Sequence, residues 1–157
     1  ARLTRGEIGM TGTVGEQFID QEIGGYVGTA VSMGNPHLVI FVPDVSTFDL
    51  PKEGSRLEHD SLFTHRTNVH FVQVKHEGHL VQRTWERGAG ATFACGTGAC
   101  ASAVAAFITG RGPRRTVVQL PGGSLEIEYL EDGTVLMTGP AETVFEGTWP
   151  DSALGQA

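Results

Sequence analysis

The run "GTGACASAVAAFITGRG", residues 96 to 112, constrains the fold most, because it is the one long stretch that strand-like alternation cannot explain. Alanine dominates it, and Val, Phe and Ile fall on nearly every side of a helical wheel until Gly110 stops it. A helix that is apolar all round has to be buried on most faces. Around it the chain reads as strand and turn: 22 glycines are spread from end to end and punctuate short runs rich in Val, Ile, Thr and Phe. The expected fold class is α+β, with an antiparallel or mixed sheet wrapped as a barrel-like layer around a central helix. A chain of 157 residues with 39% hydrophobic content has enough apolar matter for one core, so residues 1–157 are expected to form one domain, or a single lobe of something larger.

The strand pattern is specific in places. "NVHFVQV" and "LVQRTWE" flank "KHEGH", whose Gly78 suits a hairpin turn. Leu125, Ile127 and Tyr129 alternate with Glu126 and Glu128, and "EDG" turns that strand into "TVLMTG". The last apolar run, "TVFEGTW" at 143 to 149, is expected to close the sheet. The polar stretch "STFDLPKEGSRLEHDSLF" reads as a long connection with a helical turn or two.

A net charge of −7, with no basic cluster beyond Arg111, Arg114 and Arg115, argues against a nucleic-acid partner and for a small molecule or a protein. No segment has the pattern of a signal peptide or the length of a membrane span, and two cysteines five residues apart cannot staple a secreted scaffold. The cytoplasm is the expected compartment, with no membrane partner. The start at Ala1 rather than Met reads as Met removal, proteolysis or truncation.

Both cysteines lie in "FACGTGAC". Cys95 sits immediately before the helix, where unpaired backbone N–H groups and the positive end of the dipole favour negative charge, so its pKa is expected to fall toward neutrality. A thiol there suits a nucleophile or a proton-transfer base, and the N–H groups of Gly96, Thr97 and Gly98 suit a carboxylate. The plain alternative is that both cysteines are small buried hydrophobes, and for Cys100, inside the alanine run, that reading leads. A disulfide is disfavoured, since five residues advance about 7.5 Å along a helix and point about 140° apart. No metal site is expected from two thiols so placed.

Among the histidines, His59, His65, His70, His76 and His79 read mostly as solvated surface groups. His37 differs, because it closes "MGNPH", where Gly34 and Pro36 fix a bend before the apolar run "LVIFV". It is either a polar corner residue or an acid/base group at a strand mouth. "WERGAG" places Glu86 and Arg87 ahead of the glycine loop that leads to Cys95, as a surface ion pair or as part of a site.

Taken in order, "SMGNPH", "RTNVHFVQV", "WERGAGATFACGTGACASAVAA", "LPGGSLEIEY" and "MTGPAETVFEG" resemble the C-terminal half of the diaminopimelate epimerase family, over about residues 30 to 148. The resemblance implies interconversion of LL- and meso-diaminopimelate on the route to lysine and peptidoglycan, by two thiols and without pyridoxal phosphate or any other cofactor or metal. It implies two pseudo-symmetric lobes with the site between them. Carried over by motif, Cys95 resembles a catalytic thiol, with His37 and Glu86 in the polar group around it. Gly96 and Thr97 resemble the turn that holds the α-carboxylate, and Asn35, Asn68, Glu86 and Arg87 resemble substrate-binding groups. The chain departs from the family at Ala91, Thr64 and His70, where Glu, Pro and Glu are usual.

The family's N-terminal lobe, with its own thiol, is not in this sequence. Inversion of a stereocentre needs one proton-transfer group on each face of the α-carbon, and this chain offers one. It is expected to need a separately supplied N-terminal half or a second copy of itself as a homodimer. Two rivals stay open: an amino-acid-binding or assembly lobe without turnover, and a covalent cysteine enzyme with Cys95 as nucleophile and His37 as base.

Overall fold

The computed structural model describes residues 1–148. Nine strands form one mixed sheet: β1 (Gln21–Ile23), β2 (Tyr26–Ser32), β3 (Pro36–Phe41), β4 (Asn68–His76), β5 (His79–Glu86), β6 (Gly90–Thr92), β7 (Arg115–Leu120), β8 (Gly123–Tyr129) and β9 (Val135–Thr138). The order across the sheet is β1-β2-β3-β4-β5-β7-β8-β9, with β6 paired to β5 alongside. The β3/β4 and β5/β7 pairs are parallel, and the others are antiparallel.

Three helices accompany it: α1 (Arg5–Ile8), α2 (Leu50–Glu58) and α3 (Gly96–Ile108). The alanine run is α3, and Ala99 to Ala106 are all buried in it. Its last turn gives way to Gly110 at φ +71, a conformation that glycine adopts without a Cβ penalty. The α2 helix lies in the polar connection, where Asp49 accepts the Lys52 N–H at 3.2 Å as N-cap and Pro51 occupies the first turn.

Alternation along the central strands sends their side chains to two cores. Val31, Val39, Val72, Leu80, Val118 and Ile127 pack against α3. Leu38, Ile40, Val69 and Phe71 face the other way, against α2 through Leu57, the N-terminal segment through Phe18 and the connection after α2 through Phe63. Strands β3 and β4 are thus covered on both faces, which suits their parallel pairing.

The α+β class and the sheet around a central helix match the sequence expectation. The curl stays open, because β1 and β9 end the path without pairing among the described residues. The hairpin of residues 68 to 86 forms with Gly78 at φ +72. The expected closing strand at 143 to 149 does not form: residues 143–148 have no regular structure, Val144 and Phe145 are 90% and 83% exposed, and Trp149 lies outside the described residues. Among the described residues only β8 pairs with β9, and the run that follows β9 pairs with no strand.

Candidate active site

Cys95 is the N-cap of α3, in extended conformation, and its carbonyl accepts the first helical bond from the Ala99 N–H at 2.9 Å. The Gly96 and Thr97 N–H groups open the helix with no partner among the described residues. The thiol is only 7% exposed. Burial pushes its pKa up, the Gly98 N–H pulls it back, and the Glu86 carboxylate pushes it up again. This corrects the expected fall toward neutrality: burial and a neighbouring anion outweigh the helix end, so Cys95 rests as a thiol.

Three distant segments converge around that turn. Gly122 of the "LPGG" motif donates its N–H to Phe93 O at 2.8 Å, fixing the loop that delivers Cys95. Met137 on β9 covers Gly96, whose Cβ would stand 3.2 Å from the Met137 sulfur. The Glu86 carboxylate accepts the Thr92 hydroxyl at 2.7 Å across the β5/β6 turn. Phe93, two residues before Cys95, is 79% exposed.

The expected binding residues form a second knot that adjoins the first through the Glu86–Arg87 turn. The Asn68 side chain donates to Pro36 O at 2.8 Å and accepts the Arg87 N–H at 2.9 Å. It ties "GNPH" to "ERG". The Arg87 guanidinium donates to His65 O at 3.0 Å, and no Glu86–Arg87 ion pair forms among the described residues.

His37 is not at a corner: it lies inside β3, opposite Asn68, and is fully buried. Its Nε2 bonds Asn35 Oδ1 at 2.9 Å and its Nδ1 bonds His70 Nε2 at 2.8 Å. With both nitrogens engaged elsewhere, it does not pair with Cys95. Burial, helped by the Arg87 charge, holds its pKa down at about 4.

Two participants escaped the sequence reading. His70, expected at the surface, is fully buried, and burial followed by the charge of His37 keeps its pKa well down. Alternation on β4 carried the signal, since His70 and Val72 share a face, and that face meets α3. Glu58, at the end of α2, is 3% exposed; it accepts Trp85 Nε1–H at 2.8 Å and Gly88 N–H at 3.1 Å, with the Arg66 guanidinium at 3.4 Å. It braces the turn that follows Arg87.

Cys100 is buried in the α3 core and both thiols are free. Ala91 is exposed on β6, opposite Trp85. Among the described residues, no group of three or more His, Cys, Asp or Glu is arranged to hold a metal, and no helix is long and apolar enough to cross a membrane.

The family model described as diaminopimelate epimerase matches residues 29–144. A diaminopimelate epimerase of Synechococcus elongatus is 52% identical over 143 residues, covering 88% of this chain and 51% of that protein. One of Trichodesmium erythraeum is 50% identical over 152 residues, covering 93% and 55%. The chain therefore spans about half the length of the curated relatives it matches. In fold it is similar to a phenazine biosynthesis protein of the PhzF family from Enterococcus faecalis, with TM-score 0.51 at 15% identity over 68% of this chain and 40% of that one. The chain belongs to the diaminopimelate epimerase family.

Proposed function

We propose that this chain is the C-terminal lobe of a cofactor-independent diaminopimelate epimerase, converting LL- to meso-diaminopimelate and supplying one of its two proton-transfer groups. The observation that carries the reading is the buried Cys95 thiol at the start of α3, beside the two partnerless N–H groups of Gly96 and Thr97. Those donors suit the substrate's α-carboxylate and the charge that builds on it when the adjacent carbon loses its proton. As a thiol, Cys95 serves as the acid. A base on the N-terminal half of the enzyme takes the α-proton from one face, and Cys95 delivers its own proton to the other. The thiolate left behind is met by the Gly98 N–H and the Thr97 hydroxyl, whose oxygen lies 3.8 Å from the sulfur. The reverse reaction runs the same steps backward.

Asn35, Asn68, Glu86 and Arg87 are assigned to the substrate, the arginine for a carboxylate and the Glu86 carboxylate for an ammonium group. His37 acts in this reading through Asn35, as a neutral group at the edge of the site. The partner is the N-terminal half of the same enzyme, and the biosynthetic role puts the pair in the cytoplasm. In the test, LL-diaminopimelate is mixed with this chain and an N-terminal half, and products are separated by chiral chromatography. Appearance of the meso isomer, abolished by Cys95→Ala, supports the reading; activity that survives that substitution overturns it.

A second reading, a diaminopimelate-binding lobe without turnover, is favoured by one observation: Cys100 is packed in the α3 core, so among the described residues Cys95 is the only thiol at the start of α3. Binding by calorimetry with no turnover in the reconstituted pair would select it.

A further inference from the structure

A buried chain of polar side chains runs from β5 to the "GNPH" bend. Gln82 Nε2 lies 2.9 Å from Thr84 Oγ1 and 3.2 Å from His70 Nδ1, and Thr84 Oγ1 lies 3.0 Å from His70 Nδ1. The His70 and His37 rings then join at 2.8 Å, and His37 reaches Asn35 at 2.9 Å. Gln82, Thr84, His70 and His37 are all at most 1% exposed, and Asn35 is half-buried.

Two neutral imidazoles in series can be protonated in only two consistent ways, since each link needs one donor and one acceptor. In one, the Gln82 NH₂ donates to Thr84 Oγ1, the Thr84 hydroxyl donates to His70 Nδ1, His70 Nε2–H donates to His37 Nδ1, and His37 Nε2–H donates to Asn35 Oδ1. In the other, the links through both rings reverse: Asn35 turns its NH₂ to His37 Nε2, and His70 Nδ1–H points at Thr84 Oγ1 and at the Gln82 NH₂ 3.2 Å away, donor against donor. The two amides decide between them. Asn35 Oδ1, an acceptor, faces His37 Nε2, and Gln82 Nε2, a donor, faces His70 Nδ1, so both ends of the chain fit the first direction.

We propose that His70 is a positioning residue that sets this direction: its Nε2–H fixes His37 as the Nε2–H tautomer, which turns the Asn35 carbonyl inward and its NH₂ outward. The outward amide has no protein partner among the described residues and presents two N–H donors. They suit a carboxylate or carbonyl oxygen of the ligand. That last step rests on Asn35 lining the substrate site, as assigned above; the hydrogen-bond direction does not. Gly98 holds the ring in place, because only a residue without Cβ leaves room for His70 against the first turn of α3.

The experiment is a long-range proton–nitrogen spectrum of the ¹⁵N-labelled chain at neutral pH, followed by kinetics in the reconstituted pair. Single neutral tautomers with the proton on Nε2 of both His37 and His70 are expected. A proton on Nδ1 of either ring, a cation, or a mixture of tautomers in the unsubstituted chain would overturn the proposal. His70→Phe removes the donor, and His37 should then populate both tautomers while KM for diaminopimelate rises about tenfold with kcat changed much less. His70→Gln keeps an N–H aimed at His37 and should restore most of KM, even if the phenylalanine variant does not fold. An unchanged KM in a folded phenylalanine variant would overturn the positioning role. The expected tautomers in a pair that neither binds nor converts diaminopimelate would overturn the function assigned above and leave the relay standing.

Discussion

The ring of His70 lies so tightly over Gly98 that a Cβ added there would stand 2.3 Å from His70 Cε1. Alanine at a helical glycine position ordinarily gains up to about 1 kcal/mol. Here the ring is buried with both nitrogens bonded and has nowhere to go, so overpacking at about 1–3 kcal/mol prevails. Gly98→Ala is expected to lower stability by about 1–2 kcal/mol, read as a lower urea midpoint at unchanged slope. A raised midpoint would mean that the ring yields.

Glu58 is expected to matter as much as any apolar residue of α2. Burial raises its pKa, but bonds from Trp85 Nε1, Gly88 N and Arg66 more than offset this and leave it lowered. The unfolded chain therefore binds the proton first, and the stabilisation is lost as pH drops through the carboxylate range. Glu58→Gln should cost about 1–3 kcal/mol at neutral pH and flatten the acid limb of the stability profile. An unaltered acid limb would refute the assignment.

The two buried imidazoles set a different window. His37 stays neutral in the fold down to about pH 4, whereas its unfolded form takes a proton near 6.5. Stability is complete above 6.5 and declines as pH falls toward 4, by about 3 kcal/mol for this ring, with His70 adding in the same direction. Urea titrations across that interval should show the decline, and His37→Gln should remove part of it. Arg87 and His70 are the charged and titratable groups acting on His37.

Cys95 and Glu86 are coupled through their charges. Because the carboxylate raises the thiol pKa, Glu86→Gln should shift thiol ionisation, followed by thiolate absorbance in a Cys100→Ala background, to lower pH. A shift to higher pH, or none, would separate the two groups.

Local pattern foretold what local forces fix. Gly78 between two β-rich runs specified the hairpin, and the all-apolar alanine run specified α3, because turn chemistry and burial periodicity act within a few residues. Cys95 was found by its place before that helix. Its ionisation was not, because burial and Glu86 arrive from other parts of the fold. The sequence reads His70 as a hairpin surface residue because the cover on both faces of β4 comes from distant segments, and Glu58 carries no local signal because Trp85, its partner, lies far along the chain. The run at 143 to 149 reads as a strand by composition, yet a strand needs an edge to pair with, and composition does not say where that edge is.

The most direct test of the two-lobe account is solvent exchange: LL-diaminopimelate in D₂O with this chain alone, and then with the N-terminal half added. The account predicts no α-deuterium uptake and no inversion by the chain alone, and uptake with inversion once both halves are present. Inversion by the isolated chain would contradict it, since a single lobe would then carry a group on each face of the α-carbon.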